Sequence, residues 1–253
     1  MDSGKKIQLI VKRGVELAGA AAGPAISLAL GDPSGASGAF LAQAGVVITQ
    51  ELTDFVDRQQ SDRELVRAAG AITLAVHRIQ QRREQGEEIR DDDFFRVRSG
   101  TVPGGRVILD GVLTKAKHQY EEQKALILGE VFTSTAFDST ISAADASWLI
   151  SCVDRLTYRH LLILAHFASI DPPIWHDNNL KYIAARSPVV VTQIRELRSA
   201  SLLSHQSTYA ADVVITEAGK KLVEAGNLRH YLREDGAELE QPLAPPPIDW
   251  QSR

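Results

Sequence analysis

The sequence has little of what marks a disulfide-stabilised, zinc-binding or nucleic-acid-wrapping protein. It contains one cysteine, Cys152, so it forms neither an internal disulfide nor a cysteine-based zinc site. The apolar residues before Cys152 predict a buried, unreactive thiol on a helix. The formal net charge is −4, whereas proteins that wrap nucleic acid usually carry a basic excess that neutralises phosphates. Any nucleic-acid binding must therefore come from a local patch.

Local signatures of catalysis are also missing. The chain has no GxSxG or HExxH motif and no His and Asp at ligand spacing, so we expect no enzymatic activity, no metal site and no cofactor. Residues 31–38 are rich in Gly and Ser, but Ala39 and Phe40 stand where a phosphate-binding loop needs Lys and Ser or Thr. The run Asp91, Asp92 and Asp93 predicts a solvated acidic turn, because adjacent carboxylates point in different directions.

Long apolar runs are scarce. The N-terminus shows no signal-peptide pattern, which predicts a cytoplasmic protein. Residues 14–48 form two Gly- and Ala-rich halves around DPSGASG, and the first half approaches the roughly 20 residues of a membrane span only if Glu16 and Pro24 are tolerated. The pattern predicts a helical hairpin, buried in protein or inserted in the inner membrane, whose small residues let backbones approach closely. The glycines that we single out for close helix packing in this hairpin are Gly14, Gly19, Gly23, Gly31, Gly38 and Gly45.

The rest of the sequence favours a mainly α-helical protein. With 44% hydrophobic and 24% charged residues, the composition is that of an ordinary globular chain. Ser61 and Glu64 have capping-box spacing, and an apolar face follows at Leu65, Ala69, Ile72, Val76 and Ile79. The helical period returns from Val107 through Leu113 and Tyr120 to Phe132. Between residues 146 and 168 we predict a core of Leu149, Val153, Leu156, Leu161, Leu164 and Phe167.

The C-terminal third has the element order of a winged helix. We predict a helix over residues 156–168, a short one over 180–185, and a third that begins at Ser187 and Pro188 with Val190, Ile194 and Leu197 inward. Two strand-like pieces surround the polar residues 205–211, and a last helix starts at Thr216. We therefore divide the chain into a Gly/Ala-rich helical region (1–100), a central helical region (101–150), a winged-helix-like module with a short β-hairpin (151–235) and a proline-rich tail (236–253).

A winged helix of this kind would expose polar side chains to the major groove and cations to phosphates. The candidate DNA contacts are Lys181, Arg186, Thr192, Gln193, Arg195 and Arg198, with Ser199 on the same exposed face. Residues 155–235 contain ten Lys and Arg against eight Asp and Glu, a net of only +2, and Glu196 lies near the same face. The sequence leaves open whether this module binds DNA or only packs against protein.

The layout resembles the abortive-infection alpha family of bacterial proteins. The similarity lies in GVELAGAAAGPA (14–25), QGEEIRDDDFF (85–95) and ITEAGKKLVEAG (215–226). The resemblance implies a phage-defence context and no catalytic residues. We therefore expect a non-enzymatic defence or stress protein that acts through self-association or a protein partner, in the cytoplasm or at a membrane. The alternative is a DNA-binding transcriptional regulator.

Overall fold

The computed structural model describes residues 62–96, 100–170, 174–175, 183, 185–205, 213–237, 239 and 243. The predicted hairpin of residues 14–48, with the six glycines singled out for helix packing, lies outside the described residues, as do the Ser61 cap, Lys181 and most of the proline-rich tail. Among the residues that are described, no helix is long and apolar enough to cross a membrane.

The described chain is mainly helical, as predicted, with one small antiparallel sheet. Eight helices and three short strands fall within the described residues. In chain order they are α1 (Asp62–Glu84), α2 (Gly104–His118), α3 (Glu122–Phe137), α4 (Ala143–Arg155), α5 (Tyr158–Phe167), β1 (Ile174–Trp175), α6 (Pro188–Ser199), β2 (Leu203–His205), β3 (Val213–Ile215), α7 (Glu217–Ala225) and α8 (Leu228–Asp235). The chain divides into two compact units, Met1–Arg155 and Leu156–Arg253.

In the first unit, α1 and α3 pack together at backbone contact distance. A Cβ on Gly129 of α3 would lie 2.3 Å from the carbonyl oxygen of Ala71 on α1, so only glycine fits there. Residues 68–76 of α1 are buried without interruption, which is more than the single apolar face that the sequence predicts. Of that face, Ala69, Ile72 and Val76 are buried, and Leu65 and Ile79 are half-buried.

A buried arginine closes the C-terminal end of α3. The guanidinium of Arg90 donates to the carbonyl oxygens of Thr135 at 3.1 Å, Asp138 at 3.2 Å and Ile141 at 2.8 Å. Carbonyls at a helix C-terminus have no partner within the helix, and a cation there also opposes the helix dipole. Arg90 Nε donates to the Asp92 carboxylate at 2.8 Å, and this hydrogen bond holds the pKa of Asp92 below its usual value. The predicted acidic turn thus places two of its aspartates in ion pairs, Asp92 with Arg90 and Asp93 with Arg96.

The predicted apolar series from Val107 to Phe132 is wrong at two positions. Val107 is 52% exposed and Tyr120 is 72% exposed. The chain leaves the helix at Gln119, whose backbone is extended, so the helical period restarts at Glu122 in a new direction. All six residues of the predicted core from Leu149 to Phe167 are buried, with Leu149 and Val153 in the first unit and the other four in the second. Cys152 is buried as well, and burial raises the pKa of its thiol.

In the second unit, α5 contacts the other described helices and also contacts β3 of the small sheet. Helix α5 contacts α6, α7 and α8, and α6 contacts β2. The strand order is β1-β3-β2, with Ile174 opposite Val214 and Ser204 opposite Val214 on the other side. Thr216 caps α7 as predicted, because its hydroxyl accepts from the Gly219 amide. One helix that the sequence analysis missed, α8, follows α7, and Tyr158 on α5 donates to its Asp235 at 2.6 Å.

The close packing of α1 and α3 gives a stability prediction. We expect Gly129→Ala to destabilise the first unit by about 1–3 kcal/mol, because the new methyl group must displace the α1 backbone. Gly111→Ala is the matched control, since its Cβ would meet only Ile150 Cδ1 at 3.8 Å and the helix would gain about 0.5–1 kcal/mol. Urea unfolding of both variants measures the difference. Equal effects would contradict the backbone contact.

His166 on α5 gives a pH prediction. Burial lowers the pKa of His166 from the usual 6.5, so the unfolded chain takes up a proton at a higher pH than the folded chain does. The contribution of neutral His166 to the free energy of unfolding is complete above pH 6.5. It is lost as the pH falls from there through the lower pKa of the folded state. We expect His166→Gln to reduce the loss of unfolding free energy between pH 7.5 and 5.5, measured with urea. Parallel pH profiles for the two proteins would exclude this role.

Candidate nucleic-acid interface

Helix α6 has one buried and one exposed face. The predicted inward residues Val190, Ile194 and Leu197 are 0%, 2% and 0% exposed, so this prediction is confirmed. Their spacing of four and three residues sets the exposed side of the helix at a fixed angle to the core. The exposed residues of α6 after its first position are Val189, Thr192, Arg195, Glu196 and Ser199.

The residues predicted to contact DNA differ in how exposed they are. Thr192 and Arg195 are exposed, Arg186 is exposed just before α6, and Arg198 is half-buried. Gln193 is only 9% exposed, so the prediction that it faces a ligand is wrong. Gln193 lies three residues after Val190 and four before Leu197, which places it on the buried face.

The sequence analysis missed Val189, which is 58% exposed. It belongs to the run Val189, Val190 and Val191, and nothing in residue type distinguishes the exposed valine from the buried one. The helical period does make the distinction, because Val189 precedes Thr192 by three residues and Glu196 by seven. Val189 therefore belongs to the exposed stripe and supplies an apolar contact near the N-terminus of α6.

The one acidic residue on this stripe, Glu196, is hydrogen-bonded to a buried histidine of α5. Glu196 accepts a hydrogen bond from Nε2 of His160 at 2.6 Å, and Nδ1 of His160 lies 2.6 Å from Oγ1 of Thr157. Thr157 is the N-cap of α5 and takes part in a capping box with His160. The bond fixes the Glu196 carboxylate and ties α6 to the start of α5.

An open pocket of about 560 Å³ lies where α6 meets β2. Arg195, Arg198 and Ser199 line it from α6, and Leu203, Ser204 and His205 line it from β2. Ser201 and Thr216 complete the lining. Arg198 donates to Nε2 of His205, because a guanidinium has no acceptor.

The shape of this pocket depends on the turn after α6. Ser201 has φ of 60°, the left-handed conformation that commonly ends a helix. The turn lets the Leu202 amide donate back to the Leu197 carbonyl at 3.0 Å. The chain then enters β2, where His205 accepts from Arg198 and Ser204 also lines the pocket. Two guanidinium groups beside several hydroxyls can bind an oxyanion through charge-assisted hydrogen bonds.

The strained turn gives a prediction about stability. A residue other than glycine in the left-handed region costs about 1 kcal/mol, so we expect Ser201→Gly to raise the free energy of unfolding. Ala200→Gly is the matched control, because Ala200 has φ of −81° and glycine there costs about 0.5–1 kcal/mol in chain entropy. Chemical unfolding measures the change in unfolding free energy of both variants, which we expect to be positive for Ser201→Gly and negative for Ala200→Gly. If Ser201→Gly were the more destabilising of the pair, the turn would not carry this strain.

Comparisons with known proteins give no family for this chain. No protein-family model, no curated protein and no solved structure matches it. The resemblance to the abortive-infection alpha family therefore stays a prediction, and a function has to be inferred from the residues of α6 and the pocket.

Proposed function

We propose that the second unit is a winged helix that binds duplex DNA, with α6 as the helix that enters the major groove. The observation that carries the proposal is the position of α6 between its own core and open solvent. It is followed at once by the antiparallel pair β2 and β3, which takes the place of a wing. Ile183, Ala185 and Arg186 are helical. They precede α6 at the place where a winged helix has the helix before its recognition helix.

The exposed stripe of α6 carries the residue types that contact bases in a major groove. The methyl group of a threonine, like an apolar side chain, suits the methyl group of thymine, and arginine suits guanine. Val189 and Thr192 lie in the N-terminal half of α6, which is the part of a recognition helix that meets base edges. Arg195 and Arg198 lie further along the helix, together with the half-buried or exposed hydroxyls of the pocket.

The charges of the stripe favour phosphate over a neutral partner. Arg186 and Arg195 are exposed cations on or beside α6, and Glu196 is the one anion among its exposed residues. The hydrogen bond from the buried His160 holds the exposed Glu196 carboxylate in one orientation. Cations outnumber anions on this face, even though the whole chain has a net charge of −4.

A defence role through self-association or at a membrane is a separate proposal. Its support is the Gly/Ala-rich stretch of residues 14–48 and the family resemblance, and that stretch lies outside the described residues.

DNA binding is tested by fluorescence anisotropy with a 20-base-pair duplex of mixed sequence. We expect saturable binding that weakens steeply between 50 and 200 mM salt. The double variant Arg195→Ala/Arg198→Ala is expected to lower the slope of log affinity against log salt by about two, one for each phosphate contact. Absence of binding by the parent protein at 50 mM salt would refute the proposal.

Two further variants sharpen this test. Arg233→Ala removes the same kind of charge from α8, whose Arg233 is exposed and does not line the pocket, and should leave the affinity nearly unchanged. Glu196→Gln keeps a partner for His160 but removes the anion from the stripe, so it should bind more tightly than the parent protein. Equal weakening by the α6 and α8 variants would mean that binding is diffuse and does not use this face.

A further inference from the structure

The pocket at the end of α6 contains hydrogen-bond donors that the protein itself does not use. Within the described residues, the guanidinium of Arg195 has no partner, and neither do the hydroxyls of Ser201 and Ser204. The other two hydroxyls are engaged, since Ser199 donates to the Arg195 carbonyl at 3.1 Å and Thr216 donates to the Ser201 carbonyl at 2.8 Å. The uncommitted donors therefore come from both walls of the pocket.

The electrostatics of the pocket favour an anion. Arg195 and Arg198 supply two formal positive charges, and no acidic residue is among the described residues that line the pocket. The C-terminus of α6 points its dipole at the same place, but that dipole amounts to only about half a negative charge. Glu196 is engaged by His160, and Glu217 at the start of α7 is engaged by Lys220 at 2.7 Å. The described residues that line the pocket therefore carry a net positive charge.

We infer that this pocket binds the terminal phosphate of a small phosphorylated ligand, a phosphomonoester. A monoester carries a charge of about −1.5 to −2 at neutral pH and three acceptor oxygens, which matches two guanidinium groups with two free hydroxyls. A backbone phosphodiester offers one negative charge and one terminal oxygen fewer than a monoester. The volume of about 560 Å³ falls within the range of small-molecule sites, about 300–1,000 Å³, and far exceeds what a phosphate alone fills.

The same two arginines serve the proposed DNA contact, so the two ligands exclude each other. This part of the inference rests on the proposed function. A bound phosphomonoester would occupy Arg195 and Arg198 and weaken the duplex, and by linkage the duplex would weaken the monoester by the same factor. The phosphorylated ligand would then act as the release signal of the DNA-binding unit.

Binding of the monoester class is tested on the full chain with inorganic phosphate as the probe, by isothermal titration at constant ionic strength. Dimethyl phosphate serves as the diester probe. We expect saturable binding of inorganic phosphate and at least about tenfold weaker binding of dimethyl phosphate, because charge-assisted hydrogen bonds are lost with the second charge. No saturable binding of inorganic phosphate, or equal binding of the two probes, would overturn the inference.

Variants locate the site. Arg198→Gln and Ser204→Ala should each weaken inorganic phosphate, the arginine change by about tenfold. Arg233→Gln on α8 and Ser151→Ala on α4 remove the same groups elsewhere and should have no effect, since Ser151 donates within its own helix to the Ser147 carbonyl. Thermal unfolding shows whether each variant is folded. If the two pocket variants bind phosphate as well as the controls do, the site is elsewhere and the inference fails.

The outcome separates this inference from the proposed function. Displacement of the labelled duplex by inorganic phosphate, relieved in Arg198→Gln at equal duplex occupancy, supports the competition. Phosphate binding without any duplex binding would keep the pocket and remove the DNA proposal. Duplex binding without phosphate binding would do the reverse.

Discussion

The second unit depends on the carbonyl group of Leu202, which several of its elements contact. The Thr216 amide donates to it at 3.1 Å, and the Thr216 hydroxyl lies at the same distance. A Cβ on Gly219 would lie 2.3 Å from its oxygen, so α7 is seated directly against it. One buried carbonyl thus fixes the end of α6, the start of β2, the end of β3 and the first turn of α7. The pocket exists because these four chain ends converge, and its donors come from the segments on either side of Leu202.

The helical period predicts much of this unit correctly. The inward residues of α6, its start at Ser187 and Pro188, and the Thr216 cap follow from spacing and residue type alone. The error at Gln193 came from giving residue type more weight than spacing. Its position relative to Val190 and Leu197 puts it on the buried face, and the polar amide is carried there at a cost, since its Oε1 has no hydrogen-bond partner among the described residues. Val189 is the complementary case, an apolar residue that the period places outside.

Features that depend on several elements meeting were not predictable in this way. The pocket requires the left-handed conformation of Ser201, and serine gives no signal for it, because glycine is the residue usually found there. Helix α8 was missed since only Leu228 and Tyr231 in it are buried, too few to form a recognisable period. In the first unit, the extended backbone at Gln119 ends α2 and leaves Tyr120 outside. The role of Arg90 as a cap for α3 joins residues 45–51 positions apart, which no local pattern can report.

The contact between α1 and α3 also bears on how the chain is made in the cell. The bonds that join these helices span 52 and 58 positions, from Arg78 to Glu130 and from Ala75 to Thr133. At synthesis rates of about 5–20 residues per second, α1 leaves the ribosome several seconds before the helix that covers it. During that interval residues 68–76, which are buried in the folded protein and include one polar side chain, Thr73, have no partner from α3. Until α3 emerges, this stretch lacks part of its cover, and exposed surface of this kind is prone to aggregation.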